Sequence, residues 1–182
     1  MDIPNPNAAT EEDALNSRQG LLALSAGMRQ YYSTAALSRI IITPGVTARE
    51  MGAFTTFVNY LNLEVGGQAI ENNNSLTSGI WSRLYRVINI AEQIITNTNE
   101  EVIQDASTRA GVIAHAHFFK AVALGYLIQS FEEVPLTTAE GGNAPFAARS
   151  EVLAEIIGLL TEAQQLLSQN SLPDSFYSQV GP

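Results

Sequence analysis

One periodicity constrains this chain more than any other feature. Between positions 103 and 131, Ile103, Ala106, Ala110, Ile113, His117, Ala121, Leu124, Ile128 and Phe131 recur every three or four residues, which places them on one face of a single long helix. The seam is rich in small residues (Ala106, Ala110, Ala114, Ala121, Gly125), which lets a neighbouring helix approach closely, while Phe118, Phe119, Tyr126 and Phe131 supply bulk. Pro135 has no amide hydrogen and disfavours helical geometry at Val134. The helix is therefore expected to stop near Glu132 or Glu133 and leave as an extended Val-Pro-Leu segment. A long helix of this kind needs antiparallel partners, and the fold class expected is all-α.

Similar reasoning lays out the rest of the chain. A helix is expected after a Thr10 cap, with Glu11, Glu12 and Asp13 in its first turn and Leu21, Leu24, Met28 and Tyr31 on one face. A short helical or irregular segment over 33–42 is expected to break at Thr43-Pro44-Gly45, and a further helix to cover 48–61. Between 64 and 78, Gly, Asn, Ser and Thr displace the periodic apolar residues, which marks a loop. A helix over 79–96 points Ile80, Leu84, Val87, Ile88, Ala91, Ile94 and Ile95 inward. A second polar break at 137–148 leads to a last helix over 149–168, and Pro173 follows its end.

Three of these segments, taken in order, resemble the SusD/RagB family of nutrient-binding outer-membrane lipoproteins. Ala116, Phe118 or Phe119, Lys120, Ala121, Leu124, Tyr126, Leu127, Phe131, Val134, Pro135 and Leu136 match its long helix and V-P-L exit. Upstream, Trp81, Leu84, Tyr85, Arg86, Val87, Ile88 and Ala91 are similar to its W-x-x-L-Y-R-x-I-x-x-A helix. Downstream, Arg149, Val152, Ile156, Leu160 and Ala163 are similar to its R-x-x-V-x-x-x-I-x-x-x-L-x-x-A helix. The chain departs from the family at Lys120, where Arg is commoner, and at Glu132 and Glu133 ahead of the Val-Pro.

The resemblance implies antiparallel helix pairs of tetratricopeptide-like, SusD-like type with long loops. It also implies surface capture of a glycan or other nutrient in the outer membrane, beside a SusC-like TonB-dependent transporter. Family members are lipid-anchored through an N-terminal Cys, which this chain lacks. Residues 1–9 are accordingly expected to be a tether remnant, 10–170 the helical domain, and 171–182 an irregular C-terminal segment at which the family pattern is cut short. Membrane attachment is expected only through such an anchor.

Composition narrows the function classes independently. With 182 residues and 46% hydrophobic content, the chain can bury a core as one domain. A net charge of −9, with Lys120 as the only lysine, removes the basic footprint that nucleic acid or an anionic membrane surface requires. No uninterrupted apolar run reaches the roughly 18 residues of a membrane-spanning helix.

Catalytic and metal chemistry find no foothold: there is no Cys, no nucleophile elbow and no phosphate-binding loop. His115 and His117 lie two apart, on different sides of a helix, so they are expected to be one packing and one surface histidine. The chain is read as a non-enzyme with no cofactor. For ligand binding, Gln68, Glu71, Asn72, Asn73 and Asn74 offer donors and acceptors that match sugar hydroxyls, and Trp81 offers a ring face or a core anchor. The alternative is a helical-repeat protein-interaction module with no small-molecule ligand, which requires an exposed apolar groove.

Overall fold

The computed structural model describes residues 11–138 and 142–181. The 1–9 tether and the Thr10 cap lie outside them. The fold is all-α, built around α6 (Ala106–Ser130), with α5 (Ser75–Asn97) packed on one side and α7 (Arg149–Gln169) on the other. Both pairs are antiparallel. Lys120 meets Glu92 while Phe131, further along, meets Trp81. Likewise His117 meets Glu162 while Gly125 lies against Ile156.

The central position of α6 explains its composition. Ala110, Ala114, Ala116, Ala121 and Ala123 are buried together with Val112, Leu124, Leu127 and Ile128, so the helix is apolar on nearly every side, as a helix covered on several faces must be. An 18-residue stretch within it reaches a mean hydropathy of 1.4, so the helix is long and apolar enough to cross a membrane, but 67% of that stretch is buried inside the protein. Each fully buried Leu contributes about 1.5–3 kcal/mol. Asp105 caps the helix, accepting from the Thr108 amide at 2.6 Å, and hydrogen bonds from the Thr108 hydroxyl and then its amide hold the carboxyl below the usual range. Ile103 precedes the helix yet is fully buried.

The N-terminal portion differs from expectation. The single first helix is two, α1 (Glu11–Leu15) and α2 (Arg18–Tyr31), because the Ser17 hydroxyl accepts from Gly20 N at 3.1 Å and starts a new helix. A side chain at Gly20 would collide with the Ala14 carbonyl, so only Gly allows the two helices this approach. Nor does Thr43-Pro44-Gly45 break the next segment. Instead α2 runs through a π-helical turn, Tyr32–Ala36, into α3 (Leu37–Thr47), with Pro44 inside. Arg83 Nη1, from α5, donates to the Ala35 carbonyl at 2.5 Å and supports that turn. Burial of Ile40, Thr43 and Val46 keeps the helix going for one turn past the proline. Arg49, at φ 61, then ends it, with Glu50 N donating to Gly45 O and Arg49 N to Val46 O.

The helix expected over 48–61 is displaced to α4 (Val58–Val65), since Thr55, Thr56 and their neighbours favour non-helical backbone. Residues 48–57 are irregular. The polar loop is shorter than expected, because Asn74 caps α5 and Ser75 already belongs to that helix.

The exit from α6 follows the proline argument. Glu133–Pro135 forms β1, paired antiparallel with β2 (Phe146–Ala148) in the register Val134 to Ala147. Glu151 Oε2 accepts from Ala148 N at 2.8 Å and opens α7. The segment from 171 onward, expected to be irregular, carries α8 (Asp174–Gln179), whose Phe176 is buried with Val180 just beyond it. Leu172 and Phe176 close over Gly111, where a β-carbon would come within 2.7 Å of Leu172.

Candidate functional site

The residues expected to bind a ligand have separate fates. Glu71, Asn72 and Asn73 are exposed on the turn before α5, as is Gln68. Asn74 is 1% exposed and fully occupied: its Oδ1 accepts from Leu76 N at 3.0 Å and Thr77 N at 3.5 Å, while Nδ2 donates to Asn59 O at 3.1 Å. It is a cap, buried out of reach of a ligand. Trp81 stands about 10 Å further along α5 at helical rise. Half-buried, it packs with tilted rings on Tyr85 (4.7 Å) and Phe146 (6.0 Å) and edge to face with Phe131 (5.0 Å), so its ring partners come from α5, the end of α6 and the hairpin.

Beside that aromatic group lies an ionic centre joining all three central helices. Lys120, 6% exposed, places Nζ 3.0 Å from Glu92 Oε1 and 3.8 Å from Glu155 Oε1. Glu92 Oε2 accepts from Thr138 N at 2.9 Å and from the Thr138 hydroxyl, which ties the chain after β1 back to α5. Tyr85 donates to the Pro135 carbonyl at 2.7 Å. Burial, and secondarily the Glu92 charge, raises the Tyr85 phenol well above its ordinary range.

Neither histidine is the surface residue expected. His117 is buried, with Nδ1 3.4 Å from Glu162, and burial lowers its pKa against the pull of that carboxylate. His115 Nδ1 shares a 2.7 Å hydrogen bond with the Ser25 hydroxyl, and burial, with Arg29 nearby, pushes the imidazole down to about 4. Ser25 is fully buried, so this Ser-His pair holds α2 to α6, while the His115 ring borders the groove between α6, α7 and α8.

The outer side of the Glu92 centre opens into a polar pocket of about 520 Å³, lined by Asn89, Glu92, Gln93, Thr96, Asn97, Thr137 and Thr138. Asn89 Nδ2 donates to Thr138 Oγ1 at 3.2 Å and Asn97 Nδ2 to Gln93 O at 2.8 Å, which holds both side chains in place. Amides and hydroxyls held on a rigid helix match the alternating donors and acceptors of a polyhydroxylated ligand. The sequence signal was present, since Asn89, Gln93 and Asn97 repeat every four residues away from the apolar seam of α5. What sequence did not show is that Thr137 and Thr138 fold back onto them.

Among the described residues no group of three or more His, Asp or Glu side chains is placed to hold a metal ion. Compared with known proteins, the chain matches no protein-family model, no curated protein and no solved structure at a significant level.

Proposed function

We propose that this chain is the helical scaffold of a cell-surface nutrient-binding protein of SusD/RagB kind, built of tetratricopeptide-like helix pairs. On this reading it captures an oligosaccharide or related nutrient for a SusC-like TonB-dependent transporter, is lipid-anchored at the outer membrane in its full form, and carries out no chemistry on the ligand.

The observation supporting it is that the three segments similar to the family pack on one another, the first two through matching residues and the third through a neighbour of its matching positions. Tyr85 bonds to Pro135, Trp81 meets Phe131 edge to face, and Lys120 reaches toward Glu155 of the third helix. Ligand hydroxyls fit the Asn89–Thr138 pocket better than the turn at Glu71, Asn72 and Asn73, because its amides and hydroxyls are gathered on two segments held together by the fold. Trp81 then acts as an anchor of the hairpin that carries Thr137 and Thr138.

Thermal unfolding with a panel of neutral oligosaccharides tests this. A ligand at 100 times its Kd stabilises by about 2.7 kcal/mol, which for a chain of this size raises Tm by roughly 5–10 °C. Asn89→Ala should abolish the shift and Asn73→Ala should leave it intact. The reverse pattern would move the site to the turn, and a panel without any shift would remove the glycan reading.

The second reading, a protein-interaction module, is favoured by a different observation. An apolar groove of about 950 Å³ lies between α6, α7 and α8, with Phe118, Leu160, Leu167 and Tyr177 on its walls.

A further inference from the structure

The inner face of α7, Val152, Ile156, Leu159 and Ala163, packs toward α6, and these residues are buried or half-buried. A second apolar stripe continues round the same helix. Leu153, Ile157, Leu160, Gln164 and Leu167 follow four-three-four-three spacing, the interval that keeps a seam facing one partner helix. All five are exposed, Ile157 by 65%, and the stripe runs into the groove beside the half-exposed Phe118.

We infer that this stripe is the contact through which two copies of the chain pair, α7 against α7, antiparallel about a two-fold axis at Leu160. Three features select a second copy as the occupant. Read from either end, the stripe is nearly the same: Leu160 meets its own copy, Leu153 meets Leu167 of the partner subunit, and Ile157 meets Gln164 of the partner subunit.

Charge agrees with this. A molecule at −9 must bury a neutral face to meet itself, and the helix's carboxylates, Glu151, Glu155 and Glu162, lie on its other edge, Glu155 toward Lys120 and Glu162 toward His117. The antiparallel arrangement also brings exposed Arg149 to the C-terminal end of the partner's α7, where backbone carbonyls carry partial negative charge. A lipid surface fits poorly, because the polar side of α7 is acidic.

Sedimentation equilibrium of the full chain from about 1 to about 200 µM tests the pairing. The wild type should show a monomer–dimer equilibrium in the micromolar range. Ile157→Lys, at a site exposed enough to leave folding intact by circular dichroism, should weaken it at least about 100-fold, roughly tenfold for each of two symmetric contacts. Adding Gln164→Glu to Ile157→Lys should restore the dimer, since only the antiparallel register faces each new lysine with a new glutamate.

A wild type that stays monomeric throughout, with its apolar dye binding lost in Ile157→Lys, would give the stripe to a foreign helix and overturn the inference. So would a dimer indifferent to Ile157→Lys. A dimer that Gln164→Glu does not rescue would overturn the two-fold register.

Discussion

Replacing Lys120 by Met tests whether the ionic centre is part of what holds the three central helices together. Met keeps the volume of the stem and removes the ammonium, leaving Glu92 part-buried without its cation 3.0 Å away. Removing one member of a buried pair costs about 3–5 kcal/mol, mostly through the uncompensated charge left behind. The lower end applies here, because Glu92 retains both Thr138 donors and Glu155 reaches enough water to be screened. About 3 kcal/mol corresponds to a fall in Tm of roughly 6–12 °C for a chain of this length. Glu92→Gln removes the charge and still accepts from Thr138, so the double variant should be more stable than the sum of the two losses predicts by about 1–3 kcal/mol. Urea unfolding of the four proteins measures this cycle. If Lys120→Met lies within about 0.5 kcal/mol of wild type, or if the two changes simply add, the centre does not couple the helices and the reasoning fails.

Two further perturbations follow from particular residues. Folded His115 has a pKa of about 4, below the 6.5 of the free side chain, so the unfolded chain takes up the proton first. This contribution to stability is complete above about pH 6.5 and is lost as pH falls toward 4, on the order of 2 kcal/mol after allowing for partial exposure. His115→Gln should flatten that part of the pH–stability curve, and parallel curves for the two proteins would contradict the assignment. At the end of α3, Arg49 holds a left-handed backbone that costs a non-glycine residue about 1–2 kcal/mol, partly offset by the lower chain entropy of Arg when unfolded. Arg49→Gly should therefore raise stability by about 0.5–1 kcal/mol in the same urea assay, and a loss would mean that the Arg49 side chain contributes more than its backbone conformation costs.

Where sequence and structure agree, the cause is local. Pro135 acts on its own neighbours, so the end of α6 and the extended Val-Pro-Leu could be read directly. Seams of α5, α6 and α7 rest on periodicity within each helix. The misreadings arise where a distant group decides. Pro44 looks like a breaker, yet the burial of Ile40 and Val46 and the Arg83 bond to Ala35 carry helix through that region. Asn74 has the composition of a sugar-binding residue, and only the position of the helix start and of Asn59 makes it a cap. The partners of Lys120 are 28 and 35 positions away, beyond any spacing rule, so the sequence offered it only as a departure from arginine. The pocket was half legible, as an amide row on α5 lacking its opposite wall.

The central helix also bears on how the chain holds together. An apolar helix of 25 residues with little amphipathic character gains its stability from what surrounds it, since its own polar groups are few. Two of those, His117 and Lys120, sit one turn apart and are buried, and both point to carboxylates of α7, with Lys120 also held by Glu92 of α5. Apolar burial alone would allow α7 to slide or rotate on the small-residue surface of α6, because Ala and Gly give few interlocking knobs. The ion pair of Lys120 with Glu155 at 3.8 Å, and the approach of the His117 ring to Glu162 at 3.4 Å, favour one register and one rotation. In that rotation Val152 and Leu159 face inward, and Leu153, Ile157, Leu160 and Leu167 are left on the outside. The exposed stripe thus belongs to the rotation of α7 in which Lys120 reaches Glu155. Loss of Lys120 should loosen the dimer contact along with the core, although no atom of Lys120 reaches that surface.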